Sequence, residues 1–204
     1  MVFFVQCVQY RGNQSKGDAI LTPIIILAGG KSSRMGTDKT KLEYNGETLL
    51  ERAYRRFSAH FETFISARGD VGIPDAPVIF DIIPGLGPIS GLHAALQRFE
   101  SVFLVATDMP FADPENVSLI IDAGNGSIAC AGAINGKPEP LFAYYTRAVL
   151  PELESAVKAG DYSLHRLLKR VGVSLYELPP ETLDNINRPE DYEKLKSRLE
   201  LDKI

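Results

Sequence analysis

The sequence predicts an α/β fold in which a mainly parallel sheet carries helices on both of its faces. Short apolar runs rich in β-branched residues alternate along the chain with amphipathic helical patterns, and this alternation is typical of parallel strands joined by crossover helices. The first run, residues 24–27, is apolar at every position, as expected of a strand that is buried on both faces. Because the chain has 204 residues and no internal repeat, we expect a single domain over residues 23–204.

The elements of the first half follow from local start signals. Thr48 and Glu51 are the ends of the tetrapeptide TLLE, a capping box that begins a helix reaching to about residue 57. Pro88 suits the first turn of a second helix, which we expect to end near residue 98. Short β-branched runs predict three further strands, at residues 61–67, 78–81 and 102–106.

The second half carries two amphipathic helices framed by strands. Leu150, Leu153 and Val157 share one helical face, and the pattern ends at Gly160. Ser163 can cap the next helix, which has an i, i+3, i+4, i+7 apolar stripe formed by Leu164, Leu167, Leu168 and Val171 and ends at Gly172. Weaker strand signals lie at residues 127–132, 141–145 and 174–178, and Pro189 begins a charged final helix.

The charge balance argues against a nucleic-acid partner. Lys and Arg number 22 against 26 Asp and Glu, a net charge of −4, so the chain has no broad basic field. Its two cysteines cannot form a disulfide framework, which favours a cytoplasmic location. No apolar run reaches the ~20 residues that a membrane span needs. Because the chain has no broad basic field, any anion that it binds must be neutralised by a local cluster of cations.

Residues 1–22 form an N-terminal extension that precedes the predicted domain. The first ten residues, MVFFVQCVQY, are apolar but lack the basic start and the small-residue cleavage site of a signal peptide. A polar linker follows them. An added edge strand, a loose disordered tail and a start-site artefact are all compatible with this composition, and the sequence does not choose between them.

Three loop segments of unusual composition follow predicted strands. LAGGKSSRMGTDK covers residues 27–39, DIIPGLGPISG covers residues 81–91, and TDMP covers residues 107–110. Ligands of open α/β sheets bind beyond the carboxyl ends of the strands. We therefore expect the three segments to converge on one crevice.

The first of these segments has the composition of a polyphosphate site. Its paired glycines let backbone N–H groups approach a ligand closely, and its hydroxyls and cations can bind negative charge. The residues concerned are Gly29, Gly30, Lys31, Ser32, Ser33, Arg34 and Lys39. The segment matches neither the P-loop pattern nor the dinucleotide-binding glycine pattern. A solvated Gly/Ser loop with scattered cations is the alternative interpretation.

Two aspartates at strand ends are candidate ligand contacts. Asp81 could accept hydrogen bonds from sugar hydroxyls or base N–H groups, and Asp108 could hold Mg²⁺, which needs only one or two carboxylates when phosphate oxygens are nearby. Either could equally cap a turn or a helix. After Asp81, a segment with Gly85, Gly87, Gly91 and two prolines predicts a tight turn that enters a helix N-terminus.

The ordered set of motifs resembles one known family. LAGGKSSRMGTDK, DIIPGLGPISG, VATDMP, PLFAYY and NINRPEDY occur in the order seen in molybdenum cofactor guanylyltransferases, over roughly residues 23–196. This resemblance implies a three-layer, Rossmann-like nucleotide-binding α/β fold with a mainly parallel, mixed sheet. It also implies a nucleotidyltransferase that moves GMP from Mg²⁺-bound GTP to the terminal phosphate of molybdopterin and releases pyrophosphate. Proteins of cofactor biosynthesis and recipient molybdoenzymes would be further partners.

The resemblance also implies which residues bind the nucleotide. They are the backbone after the first strand, one cation and two aspartates, that is, Leu27, Ala28, Gly29, Gly30, Lys39, Asp81 and Asp108. Arg34 and Lys39 would neutralise the triphosphate, and Asp108 would bind the Mg²⁺ that bridges phosphate oxygens, so these three residues would be catalytic. Asp81 would lie beside the nucleoside.

The acceptor would lie on the other side of the crevice. There, by the same resemblance, Gly87 and Gly91 would shape the wall, and Asn185 and Asn187 would face the pterin. Guanine preference is suggested by Ala-Gly-Gly at residues 28–30, since the cytidylyltransferase relatives more often show Ala-Ala-Gly there.

Three positions depart from the family pattern. Ser66 stands where an Asn often meets the nucleotide, and Glu139 precedes Pro-Leu where Gln or His is usual. The loop after Met35 is one residue shorter than in some members, and its Asp-Lys pair identifies Lys39 rather than Lys41 as the phosphate contact.

Two alternatives for the function stay open. One is a related enzyme that transfers another nucleotide, from CTP to molybdopterin or from an NTP to a sugar or polyol phosphate. The other is a non-catalytic nucleotide-binding homologue.

Overall fold

The structure is a computed structural model that describes residues 22–28, 43, 44, 46–81, 83, 85–184 and 191. Several sequence predictions lie outside these residues: the extension up to residue 21, most of the glycine-rich segment (residues 29–39) and the body of the final helix. The elements below are those of the described ranges.

The strands form one large sheet and one small hairpin. In chain order the strands are β1 Ile24–Leu27, β2 Glu43–Tyr44, β3 Glu47–Thr48, β4 Thr63–Ala67, β5 Val78–Phe80, β6 Ser101–Ala106, β7 Ala129–Ile134, β8 Lys137–Thr146 and β9 Ser174–Glu177. Within the described part of the chain, seven of them pair in the order β5-β4-β1-β6-β8-β7-β9, and β2 and β3 pair with each other. In the large sheet β8 runs antiparallel to β6 and β7, whereas the other paired strands are parallel. The predicted mainly parallel, mixed sheet is confirmed.

The helices begin at the signals that the sequence carries. They are α1 Leu49–Ser58, α2 Pro88–Leu96, α3 Pro114–Ala123, α4 Leu150–Lys158 and α5 Leu164–Val171. The capping box of α1 is present: the hydroxyl of Thr48 accepts from the N–H of Glu51 at 3.1 Å, and the Glu51 carboxylate accepts from the Thr48 N–H at 2.7 Å. At α5 the hydroxyl of Ser163 accepts from the N–H of Arg166 at 3.3 Å. These bonds satisfy N–H groups that have no partner within the helix.

Two elements were absent from the sequence prediction. The hairpin β2–β3 is too short to leave a pattern. Helix α3 does carry a signal, since Asp113 accepts from the N–H of Asn116 at 2.8 Å and Pro114 occupies the first turn. The predicted strand at residues 61–67 begins only at Thr63, because the N–H of Phe61 still donates to the carbonyl of Phe57 at the end of α1.

The core lies on both sides of the large sheet. Ile24 and Ile26 face one helix layer, and Ile25 faces the other, as the two-residue period of a strand requires. The first layer is formed by α1 and α3, whose Phe57 and Ile120 share that cluster. The second is formed by α2, α4 and α5, which contribute Leu92, Leu153 and Leu167. The fold is therefore a three-layer α/β structure, as predicted. No helix in the described ranges is long and apolar enough to cross a membrane.

Candidate functional site

A cavity of about 550 Å³ opens at the carboxyl ends of three neighbouring strands. It is lined by the ends of β1, β4 and β5, by the turn that follows β5 and by the start of α2, with Leu27, Ala28, Ser66, Ala67, Arg68, Asp81, Gly85, Leu86, Gly87, Pro88 and Gly91 in its walls. Its volume is within the usual range for small-molecule sites, roughly 300–1,000 Å³. The carboxyl edge of the sheet is the expected place for such a site.

The floor of the cavity is a tight contact between Gly91, Ser66 and Leu27. A Cβ atom added to Gly91 would lie 2.5 Å from Ser66 Oγ and 2.7 Å from Leu27 Cδ2. Only glycine therefore lets α2 approach the ends of β1 and β4 this closely without moving a neighbour. Ser66 is 4% exposed, and its hydroxyl donates to Asp81 Oδ1 at 3.2 Å. The contact thus sets the position of a hydroxyl that holds the Asp81 carboxylate.

Asp81 is a partly buried carboxylate that faces the cavity. Burial raises its pKa, while the hydrogen bond from Ser66 and the positive charge of Arg68 oppose that rise. A carboxylate in such a setting has lost part of its hydration, so a ligand that supplies N–H or O–H donors would restore it. Asp81 therefore lies at the end of β5 in the cavity wall, and its contact with a ligand's hydroxyl or N–H groups stays a prediction.

The turn after β5 brings the start of α2 to the cavity. Gly85 and Gly87 have φ values of 90° and 74°, in the left-handed region that favours glycine. Gly87 caps α2 without a side-chain hydrogen bond, and the hydroxyl of Ser90 donates back to the carbonyl of Ile83 at 2.6 Å. The first N–H groups of α2 therefore lie near the cavity, where they favour a negatively charged ligand.

Asp108 lies beside this cavity and is not among its lining residues. β6 pairs directly with β1, with Ala106 opposite Leu27. The hydroxyl of Thr107 donates to the carbonyl of Leu27 at 2.8 Å, which ties the segment after β6 to the end of β1. The end of β1 and the turn after β5 therefore converge on the cavity, as predicted. The TDMP segment after β6 adjoins them through the hydrogen bond from Thr107 to Leu27.

Glu139 shares the sheet edge with Asp108. Because β8 runs antiparallel to β6 and Phe142 pairs with Val105, the start of β8 extends past the end of β6. Burial raises the pKa of the Glu139 carboxyl, and the negative charge of Asp108 adds to that rise. A hydrogen bond from the backbone N–H of Leu141 and the charge of His165 oppose it. Two carboxylates thus concentrate negative charge at one place.

This arrangement fits a divalent cation that takes most of its ligands from elsewhere. Across the residues that the structure describes, no three His, Cys, Asp or Glu side chains could together hold a metal ion. Mg²⁺ does not need such a cage, since it binds through one or two carboxylates with substrate phosphates and water. A cation at Asp108 would also relieve the repulsion between Asp108 and Glu139.

The sequence predicted some of these residues and missed others. Leu27, Ala28, Asp81, Gly87 and Gly91 all line the cavity. Asp108 is described and adjoins the cavity, whereas the other candidates, Gly29, Gly30, Arg34, Lys39, Asn185 and Asn187, lie outside the described residues. Arg68 was not predicted as a wall residue. It follows the end of β4, and only the strand order, in which β4 lies between β1 and β5, reveals its place.

The chain is similar to one family model, to curated relatives and to solved structures. The MobA-like NTP transferase domain matches residues 24–175. A probable molybdenum cofactor guanylyltransferase of Aquifex aeolicus is 34% identical over 178 residues, covering 83% of this chain and 88% of that protein. A protein of the same description from Methanosarcina mazei is 34% identical over 197 residues, covering 84% and 88%. The crystal structure of molybdopterin-guanine dinucleotide biosynthesis protein A from Archaeoglobus fulgidus has a TM-score of 0.79 at 29% identity, covering 88% of this chain and 99% of that one.

Proposed function

This chain belongs to the family of MobA-like NTP transferase domains and is a nucleotidyltransferase, and on that premise we propose that it transfers GMP from GTP to molybdopterin. The relatives named as molybdenum cofactor guanylyltransferases support the choice of substrates. In this proposal residues 23–204 form one domain, and the protein acts in the cytoplasm. Cofactor-biosynthesis proteins and recipient molybdoenzymes are its proposed further partners.

The observation that carries the proposal is the cavity together with the adjoining Asp108 segment. The cavity presents the backbone after β1 and the Asp81 carboxylate to one ligand, and the Thr107–Leu27 hydrogen bond fixes Asp108 next to it. A nucleoside in the cavity would extend its phosphates toward Asp108. Asp81 would accept from donors on the guanine or the ribose.

The proposed reaction forms one phosphoanhydride bond and breaks another. A terminal phosphate oxygen of molybdopterin attacks the α-phosphorus of GTP, the bond from that phosphorus to the bridging oxygen breaks, and pyrophosphate leaves with the electron pair. The attacking monoester has a second pKa of about 6, so it is mostly ionised near neutral pH and needs no general base. What the reaction needs is positioning and charge neutralisation.

Each proposed residue meets one of these needs. Mg²⁺, held by Asp108, would supply positive charge to the phosphate oxygens. Arg34 and Lys39, from the segment after β1, would stabilise the leaving pyrophosphate. The N-terminus of α2 and the walls at Gly87 and Gly91 would confine the reactants, and Asn185 and Asn187 would contact the pterin.

Nucleotide selectivity tests the proposal most directly. We expect GTP with Mg²⁺ to raise the melting temperature more than CTP, ATP or UTP at equal concentration. A ligand at about 100 times its Kd stabilises a protein by ~2.7 kcal/mol, or ~5–11 °C for a chain of this size. Asp108→Asn should abolish the part of the shift that depends on Mg²⁺ and leave the metal-free part.

The other outcomes identify the alternatives. A larger shift with CTP would indicate a cytidylyltransferase and overturn the guanine assignment. A GTP shift without pyrophosphate release from molybdopterin or from any sugar or polyol phosphate would indicate a non-catalytic nucleotide-binding protein. Pyrophosphate release with a sugar phosphate or polyol phosphate, and none with molybdopterin, would overturn the acceptor assignment.

A further inference from the structure

Arg56 places a partly buried guanidinium between two segments that are far apart in sequence. It belongs to α1, and its Nη1 donates to the carbonyl of Pro110 at 2.6 Å and to that of Ala112 at 2.5 Å. Burial and, to a smaller extent, repulsion from Arg52 together lower the pKa of Arg56 to about 10, while Asp113 opposes the change. Arg56 is therefore still charged at neutral pH. Removing a cation from water, even in part, is costly, and hydrogen bonds to the carbonyls of Pro110 and Ala112 offset that cost.

Both carbonyls belong to the loop that carries Asp108. This loop, residues 107–113, joins β6 to α3. On one side of Asp108, the hydroxyl of Thr107 donates to the carbonyl at the end of β1. On the other side, the N–H of Met109 donates to the carbonyl of Ala106, and the N–H of Ala112 donates to that of Met109, both at 3.2 Å. Met109 and Ala112 are buried.

The far end of the loop is fixed by Arg56 and by the start of α3. Asp113 accepts from both the N–H and the side-chain amide of Asn116, at 2.8 and 2.6 Å, so α3 begins at a defined point. The guanidinium holds the two carbonyls that lie between Asp108 and this cap. Asp108 therefore sits between two anchors, one on β1 and one on α1.

We propose that Arg56 is a positioning residue that holds the Asp108 carboxylate where it can bind a divalent cation against the nucleotide phosphates. The inference rests on the proposed function for its cation and adds to it a residue outside the cavity. Metal sites tolerate only ~0.5 Å of error in the placement of a ligand. A loop that has lost its anchor would present the same carboxylate in a spread of positions.

Arg55 provides a matched control. It is the next residue of the same helix and has the same side chain, but it is 67% exposed and pairs with Glu47, to which its Nε donates at 2.7 Å. Removing an exposed ion pair of this kind costs ~0–1 kcal/mol. Arg55→Met therefore removes an arginine from α1 without touching the Asp108 loop.

The experiment measures cation binding directly. Mn²⁺ serves as the probe, and its binding to the full chain saturated with GTP is followed by electron paramagnetic resonance. The chains compared are wild type, Arg56→Met, Arg56→Lys, Arg55→Met and Asp108→Asn. Loss of a group that supports a metal ligand typically weakens metal binding 10–100-fold. We expect a loss of ~10–100-fold for Arg56→Met and less than ~2-fold for Arg55→Met. GTP affinity in EDTA should be unchanged in both.

The results separate positioning from general stability. Hydrogen exchange of residues 107–112 should speed up in Arg56→Met and not in Arg55→Met. A folded Arg56→Met that binds Mn²⁺ within ~2-fold of wild type would overturn the inference, because that is less than any loss expected from it. If Arg56→Met does not fold, Arg56→Lys decides. The lysine side chain is one bond shorter, so its ammonium does not reach the position from which Nη1 donates to both carbonyls, and Mn²⁺ binding should weaken; wild-type binding in that variant would overturn the inference.

Failure of the proposed function would look different. If wild type prefers CTP to GTP, the guanine assignment falls, but the Mn²⁺ titration can be run with CTP, and the ratio of Arg56→Met to wild type still tests the anchor. If Asp108→Asn binds Mn²⁺ as wild type does, the cation does not lie at Asp108 and the role of Arg56 falls with it.

Discussion

Gly91→Ala tests the packing on which the cavity floor depends. The new Cβ would lie 2.5 Å from Ser66 Oγ and 2.7 Å from Leu27 Cδ2, closer than such atoms approach in folded proteins. Both neighbours must give way: the Leu27 side chain has to shift within the core, and the Ser66 hydroxyl has to rotate. That rotation would break its hydrogen bond to Asp81. We therefore expect the substitution to affect both stability and nucleotide binding.

The size of the effect follows from three contributions. Extra methyl groups in a packed core cost ~1–3 kcal/mol, and loss of a hydrogen bond to a charged group costs ~1.5–3 kcal/mol when it is buried, less for the half-exposed Asp81. Replacing Gly by Ala inside a helix returns ~1 kcal/mol. The net loss is ~2 kcal/mol, which lowers the melting temperature by ~4–8 °C for a chain of this size.

The assay compares melting temperature and GTP affinity in four chains: wild type, Gly91→Ala, Ser66→Ala and the double variant. The control is Gly69→Ala, because a Cβ there meets nothing within 4 Å. We expect Gly69→Ala to be neutral or slightly stabilising. The double variant should be more stable than the sum of its two single losses predicts, because Ser66→Ala removes the atom closest to the new methyl group.

Two results would refute this reasoning. If Gly91→Ala melted like Gly69→Ala, the close approach of α2 to β1 and β4 would not constrain the chain. If the two losses were strictly additive, Ser66 would not be the group that meets the new methyl. In either case the cavity floor would be set by other residues.

Three further predictions concern charge and burial. Lys39→Ala should lower turnover by ~10²–10³ at an unchanged melting temperature, whereas Lys41→Ala should not; near-normal pyrophosphate release from Lys39→Ala would mean that the phosphate site is wrongly assigned. Burial raises the pKa of Glu139, so the folded chain holds that proton more tightly than the unfolded chain does, and stability falls as pH rises through the raised pKa. Glu139→Gln should therefore raise the melting temperature at about pH 7 but not at about pH 4. Calorimetry that showed the same change in melting temperature at both pH values would contradict this cause. The buried hydroxyl of Tyr145 donates to a backbone carbonyl at 2.8 Å, so Tyr145→Phe should cost ~1 kcal/mol, or ~2–4 °C, with the exposed Tyr162→Phe as control; equal melting temperatures would show that the bond adds nothing.

The sequence predicted what depends on contacts within one turn or one strand. The capping box of Thr48 and Glu51, the cap at Ser163 and the proline that begins α2 all act over three or four residues, and each was confirmed at its predicted position. The apolar run of β1 predicted burial on both faces, and its alternate residues do pack into opposite helix layers. Asp113 and Pro114 carried a comparable signal for α3, and it was missed.

The candidate site was predictable only in part. The rule that ligands bind at carboxyl ends of strands selected Asp81 and the turn at Gly87, and both line the cavity. The same rule could not select Arg68 or Ser66 as neighbours of Asp81, because it does not say which strands lie side by side. Asp108 was selected, but its place beside the cavity rather than in its wall depends on the order of β1 and β6.

The sequence by itself determined the alternation of strands and helices, the helix starts and the chemistry available at each strand end, because all of these are properties of neighbouring residues. Tertiary structure decided which of them meet. The reversed direction of β8 brings Glu139 to the edge where β6 ends, Gly91 meets Ser66 across the packing of α2 on the sheet, and Arg56 reaches a carbonyl 54 residues away. Such contacts depend on how whole elements pack together, and the period of a side-chain pattern reports which face is buried, not which neighbour covers it.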